Sequence, residues 1–543
     1  MRIELAPWVR LGALVCLIQT LPTGLPAQSP SETPSEATAP VAAPAPTASA
    51  PSAEPPFSAI EWLSDIFVAP GPGLDGGGAE DAPARSASPE DITTSPIGQV
   101  KTDAVGLLPT SVTGLPSNFW GPTGSDKLVK MIRAQRVDMP PPLLVFLRRL
   151  LLAELDPPID SGPGAEVFLT RIDKLLDMGA LDPALALIER SGPDTPALFR
   201  RWFDIRLLSG REEPACARML AAPDFAPTYP ARIFCLARSG DWDAAVLTLG
   251  TAQILGLVTD DESALLSRFL DPSLFEGEPF LPYPSRVTPL NYRMHGAIGE
   301  PLSLGTLPNA FAYAALDSSN GWKIRLAAAE RLVRGGAIPA ETLMSLYLER
   351  GRAASGGVWD RVQAVQDFEA ALDSRDPSEI AKTLPDAIRS MRRAGLLYGF
   401  AQAYGERLLE IDLSQQPESR AAARLILMSP VYETAARSPR LEASVPPLWI
   451  AIAKGDVAPG PGNDALETAV IAGFSAKPLP PYTAQLLEDG QLGAAALKAM
   501  SLLEDGAQGD PLRIEQGLAL LRALRLEDIA RRTALYLLLN GAR

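Results

Sequence analysis

From about residue 125 to residue 543, apolar side chains return at steps of three and four, and short polar turns carrying Gly or Pro separate one run from the next. This periodicity predicts helix after helix. Two stretches interrupt it. The first, DPSLFEGEPFLPYPSRVTP (Asp271 to Pro289), holds five prolines and reads as a loop pinned on the surface. It opens a loop insertion over 271–308 that divides a helical lobe at 124–270 from a second at 309–543. The other, VAPGPGN (Val457 to Asn463), parts the last helices from those before them.

Within the first lobe a repeat appears. LLDMGALDPALALI, RLLSGREEPACARML and LARSGDWDAAVLTL place a glycine at 179, 210 and 240, a small residue five positions on (Ala184, Ala215, Ala245) and a large one nine on (Ile188, Met219, Leu249). A helix hairpin needs a glycine in its turn, a small residue where the helices cross closely and a large one to fill the groove. These residues resemble the tetratricopeptide repeat, and GDWDAA at 240–245 is nearest to the turn that opens that repeat's second helix. The likeness covers roughly 175–255; GGAIPAETLM near 335 and DGQLGAAALKAM near 489 echo it. Its spacings of 31 and 30 are short and drift. The expected fold is therefore all-α, a degenerate α-α superhelix of tetratricopeptide-like type.

The first 123 residues read differently. Arg2 and Arg10 precede the apolar run Leu11–Leu21 and then Leu-Pro-Ala at 25–27, the pattern of an export signal cleaved after Ala27. The run is too short to span a bilayer. Residues 28–56 contain eight prolines and no aromatic, Lys or Arg, a composition that cannot bury enough surface to offset its ordering entropy. We expect a Pro/Ala-rich tether over 28–123 with two apolar interruptions.

One interruption is PPFSAIEWLSDIFVAPG, in which Phe57, Ile60, Trp62, Leu63, Ile66 and Phe67 share a helical face bounded by Pro56 and Pro70. A helix of 57–67 is marginal in water unless it packs on something. Either it docks in a groove of another protein or it covers its own body. The second interruption, 100–121, is broken by Pro109, Gly114 and Pro116 and reads as an extended arm lying on the body.

The net charge of −15 argues against nucleic acid as a partner. The arginine pairs Arg148/Arg149, Arg392/Arg393 and Arg531/Arg532 sit beside acids within helical patterns and read as solvated helix faces. No stretch after the signal is long and apolar enough to cross a membrane, so the expected location is the periplasm.

Catalytic chemistry finds little support in the sequence. The single histidine, His295, lacks a G-x-S-x-G elbow or an activated cysteine to work with, and reads as an ordinary loop or helix-start residue. With one His and so few Cys, neither a metal site nor a cofactor is expected. Gly71, Gly73 and Gly76 match G-x-G-x-x-G without the strand and helix that motif needs. Asp260, Asp261 and Glu262 are better explained by capping than by paired-carboxylate hydrolysis. Cys216 falls early in one helix and Cys235 late in the next, so a disulfide between antiparallel neighbours is expected, two buried thiols being the alternative.

The segments TDAVGLLPTSVTGLPSNFWG and AASGGVWDRVQAVQDFEAAL (Ala353 to Leu372) resemble uncharacterised exported alphaproteobacterial helical-repeat proteins, some labelled antifreeze glycopeptide polyprotein. The resemblance implies export and a helical body, and supplies no activity and no site residues. The functional expectation is a non-catalytic periplasmic scaffold or adaptor that binds envelope proteins through its helical surface and the tethered helix. A peptidoglycan- or glycan-binding or processing protein and a periplasmic accessory of the flagellar motor are the alternatives.

Overall fold

Glycine at a left-handed position is what ends helix after helix in this chain. Gly179, Gly210 and Gly240 adopt φ of +86°, +66° and +89°, and the residue after each donates its N–H five residues back, to Leu175, Arg206 and Leu236. Five residues beyond these turns Ala184, Ala215 and Ala245 are fully buried, and Ile188, Met219 and Leu249 lie beside them in the core. The spacing read from the sequence therefore corresponds to a recurring hairpin. The same turn recurs at Gly336, Gly395, Gly455 and Gly490.

The structure is a computed structural model and describes residues 101–475 and 477–540; the 57–67 segment and the glycines at 71–76 lie outside these. Among the described residues the regular structure is helical, with one isolated parallel bridge between Leu108 and Ala153. The chain begins with α1 (Thr110–Thr113), α2 (Ser125–Arg133) and α3 (Pro141–Leu152). Hairpins follow as α4 (Glu166–Met178), α5 (Leu181–Ser191), α6 (Pro196–Leu208), α7 (Glu213–Ala221), α8 (Tyr229–Arg238), α9 (Trp242–Ile254) and α10 (Asp260–Leu270). The middle holds α11 (Pro289–Ala297), α12 (Asn309–Ala314), α13 (Trp322–Arg334), α14 (Ala340–Leu348), α15 (Val358–Ser374), α16 (Pro377–Arg393), α17 (Leu397–Leu409) and α18 (Ser419–Met428). The last part comprises α19 (Tyr432–Ala435), α20 (Pro439–Ser444), α21 (Pro447–Lys454), α22 (Ala465–Phe474), α23 (Pro481–Glu488), α24 (Leu492–Ala507), α25 (Pro511–Ala523) and α26 (Glu527–Asn540).

Neighbours in sequence pack together, and so do elements far apart. α2 packs on α24, α3 on α26, and α4 on α12, so the first helices meet the last. Gln135 Nε2 donates to Leu497 O at 3.3 Å across this seam. The arm joins it too: Leu115, Phe119 and Trp120 are buried, and Gly493 N donates to Phe119 O at 2.7 Å. Gly493 must be glycine here, because the Trp120 ring fills the space a Cβ would take. Residues 101–123 thus belong to the body, whose start lies ahead of position 124, since three large apolar side chains are covered there.

Two corrections concern the proline-rich stretch and the arginine pairs. Residues 289–297 are helix, not loop, because Thr288 caps α11 and Pro289 takes its first position. His295 accordingly sits in the last turn of α11, buried, with Nδ1 unpartnered. Burial pushes its pKa below the ordinary value, so it is neutral at pH 7. The remainder of the stretch is held down by Arg268, whose Nη2 reaches Pro279 O at 2.8 Å, and by Glu300, which accepts from Leu281 N at 2.9 Å.

Arg392 and Arg393 are exposed as expected. Arg148 and Arg531 are not solvated. They reach carbonyls at the ends of other helices, Gly336 O at 2.9 Å and Ala453 O at 3.0 Å. Arg532 pairs with Asp528 at 2.9 Å and lies over the Tyr432 ring. Helix C-termini leave carbonyls without intrahelical donors, and a cation satisfies both their lone pairs and the helix dipole.

Helix α4 uses this device twice. Arg171 Nε and Nη2 donate to Leu151 O at 2.8 Å and Ala153 O at 2.9 Å, at the end of α3. One turn on, Lys174 Nζ donates to Arg133 O at 3.0 Å and Gln135 O at 2.8 Å, at the end of α2. Two buried cations on one helix therefore terminate the two helices before it.

Asp204 on α6 is a buried carboxylate with less support. Arg200 Nε stands 3.7 Å away, and Oδ2 accepts no hydrogen bond. Desolvation outweighs Arg200 and Arg201, whose own fork is engaged by Asp173, and raises the Asp204 pKa to about 7. The folded state holds this proton up to about pH 7, whereas the unfolded chain releases it near pH 4. Stability contributed by the neutral form is complete below pH 4 and is lost as pH rises toward 7. Asp204→Asn is expected to raise the urea midpoint over wild type at pH 8 and to give a smaller gain at pH 5, checked by denaturation at both pH values.

Candidate functional site

Helix α9, WDAAVLTLGTAQI, is apolar on every side, which is unusual for a helix at a surface. Asp241 caps it by accepting from Ala244 N at 3.2 Å. Its inner stripe of Ala245, Leu249 and Ala252 is buried, and the helix packs chiefly on α8 and α10. Among the described residues nothing covers the opposite side. Val246 is 57% exposed, Leu247 73% and Ile254 88%, and Leu255 and Leu257 continue the surface into the following turn.

The polar residues of this face add little polarity. Thr248 and Thr251 hydroxyls donate back to Ala244 O and Leu247 O, at 2.6 and 2.9 Å. The rim is acidic: Asp241, Asp243, Asp260 and Asp261 are all exposed. Asp260, Asp261 and Glu262 form the first turn of α10, where Thr259 and Glu262 close a capping box. Those carboxylates thus serve a helix start. The α9 surface can take an apolar face edged with cations.

A cleft of about 810 Å³ borders α8 and α10. The α6–α7 turn, α8, α10, α11 and α12 with the turn after it form its walls. Phe234 and Phe269 stack at 5.4 Å on one wall, and Trp242 at the start of α9 stands 6.3 Å from Phe269. Glu212, the N-cap of α7, is 1% exposed. Arg238 Nη2 lies 3.0 Å from its Oε1 and Arg293 Nη2 3.8 Å from its Oε2. These are ion contacts without hydrogen-bond alignment, and no donor is directed at either carboxylate oxygen.

Asp317 on the cleft accepts from the Ser319 hydroxyl and amide at 2.5 and 2.8 Å, which hold its carboxyl below the usual range. Tyr313 donates to Asp182 at 2.6 Å, and burial together with that bond raises its pKa.

A disulfide ties α8, one wall of the cleft, to α7. Cys216 on α7 and Cys235 on α8 are bonded, with Cα atoms 5.0 Å apart, joining the helix that Glu212 caps to the one carrying Phe234 and Arg238. The six-residue apolar face at 57–67 lies outside the described residues, so its position relative to α9 and the cleft is not defined. Neither the α9 face nor the cleft was anticipated from sequence. The first had a signal, an apolar helix lacking any polar stripe; the second draws Glu212, Arg238, Arg293 and Asp317 from four separate elements.

Among the described residues no group of His, Cys, Asp or Glu is placed to hold a metal ion, and no helix is long and apolar enough to cross a membrane. Comparison of the chain with protein-family models, with curated proteins and with solved structures finds no match.

Proposed function

We propose that this chain is an exported, non-catalytic scaffold of the periplasm that binds another envelope protein, with the array of helix hairpins as its framework. The observation that carries this reading is the uncovered apolar side of α9. Burying one of its large side chains would contribute about 1.5–3 kcal/mol, and Val246, Leu247 and Ile254 lie within two turns of each other. The acidic rim selects a partner whose apolar face is bordered by Lys or Arg. The tethered face at 57–67 is a second contact, reaching the same partner or another.

The test is a comparison of wild type with Leu247→Asp/Ile254→Asp and, separately, with Trp62→Ala/Phe67→Ala. A partner recovered with wild type from cross-linked envelopes is purified, and its binding to each form is measured. The α9 variant is expected to lose that binding while its melting temperature stays unchanged, since both side chains already face water. Undiminished binding by the α9 variant, or co-sedimentation with purified peptidoglycan in place of a protein partner, counts against the reading.

A further inference from the structure

Arg238 and Arg293 on the cleft differ from most half-buried arginines of this chain. Several others are consumed by helix-end carbonyls or aligned carboxylates, as at Arg148, Arg171, Arg201 and Arg531. Arg238 and Arg293 share the single carboxylate of Glu212, and neither makes a hydrogen bond to a protein acceptor among the described residues. Their side chains remain 47% and 42% exposed. Each guanidinium carries five N–H donors in a planar fork that matches a carboxylate. Glu212, buried beside them, holds the pair at the cleft wall, and their donors have no aligned acceptor among the described residues.

The sign of the surroundings narrows the ligand. Glu212 and Asp317 keep the cleft from being uniformly positive, which disfavours a doubly charged phosphate. Asp317 stays ionised through Ser319 and offers an acceptor for an ammonium. Phe234, Phe269 and Leu316 add apolar and aromatic wall beside the polar residues. The volume lies within the range of small-molecule and peptide pockets.

We propose that this cleft binds the free carboxyl end of a short zwitterionic peptide. Arg238 and Arg293 take the carboxylate, Asp317 receives the amino group, and the aromatic wall covers the side chains. The proposal does not depend on the α9 surface, which contributes no residue to the cleft and is tested by other substitutions.

Calorimetric titration of the purified full chain with trialanine, trialaninamide, N-acetyl-trialanine and inorganic phosphate decides it. Trialanine is expected to bind with Kd below about 1 mM, and the amide and the acetylated peptide at least about tenfold more weakly. Arg238→Ala and Arg293→Ala should each abolish the trialanine heat with the far-ultraviolet dichroism unchanged, because both side chains are half exposed. Asp317→Asn should bring trialanine down to the level of the acetylated peptide. The proposal is overturned if trialanine gives no heat at millimolar concentration, if the amide binds as well as the acid, if phosphate binds and trialanine does not, or if the arginine variants bind like wild type.

Discussion

Arg171→Met is expected to destabilise the protein by about 3–5 kcal/mol, the range for removing one partner from a buried charged network. The side chain is 1% exposed. Besides the two carbonyls at the end of α3, its Nη1 donates to Val105 O at 2.9 Å and Asp103 O at 3.2 Å in the arm. Burial pushes its pKa down to about 10, with Asp103 opposing the fall, so it is charged at neutral pH. The Asp103 carboxylate is engaged by the Ser161 hydroxyl at 2.6 Å and by Phe168 N at 2.7 Å. Methionine matches the aliphatic part of the side chain and supplies no donor, so four carbonyls lose their partner inside the protein. Urea denaturation of the variant gives the size of the effect, and limited proteolysis within 101–123 reports whether the arm has lifted. A loss under about 1 kcal/mol would mean that those carbonyls find other donors and that Arg171 is not the tie between arm, α3 and α4.

Loss of the Cys216–Cys235 bridge is the second large effect expected. The bond closes a loop with a sequence separation of 19, for which restriction of the unfolded chain corresponds to about 3 kcal/mol. Its local weight is greater because α7 is short and buries only Ala215, Cys216 and Met219. Cys216→Ser/Cys235→Ser should lower the urea midpoint and speed amide exchange across 213–238, leaving the α24–α25 pair protected. Dithiothreitol should produce the same shift in wild type and none in the double variant. Equal midpoints with and without reductant would show that packing alone holds the α7–α8 hairpin.

The helical class and the hairpin turns were legible because they rest on local rules. A glycine at φ near +80° and an alanine at a helix crossing leave a fixed spacing in the sequence, and 179/184, 210/215 and 240/245 carry it. The role of Arg148 and Arg531 was not legible. A cation that caps a helix end 78 or 188 residues away looks, in its own neighbourhood, like one beside acids on a solvated face. The same holds for the cleft, where the two arginines beside Glu212 come from α8 and α11. Proline also misled: Pro289 suggested a loop, although Thr288 before it makes it the opening residue of α11. The exposed side of α9 needed knowledge of which neighbours are absent, and periodicity describes only a helix's own residues.

The seam between first and last helices bears on how the chain is made. Gln135 and Leu497 are 362 residues apart, so α2 and α3 emerge from the ribosome long before the surfaces that cover them exist. Contacts of such separation form late, and the apolar sides of the early helices stay available for mispairing until then. A chain lacking α26 would leave α3 without one of the helices that cover it, even with every earlier hairpin in place. The fourteen-residue α26 therefore closes a seam whose other side was made first, and the α3 side of the fold waits for it.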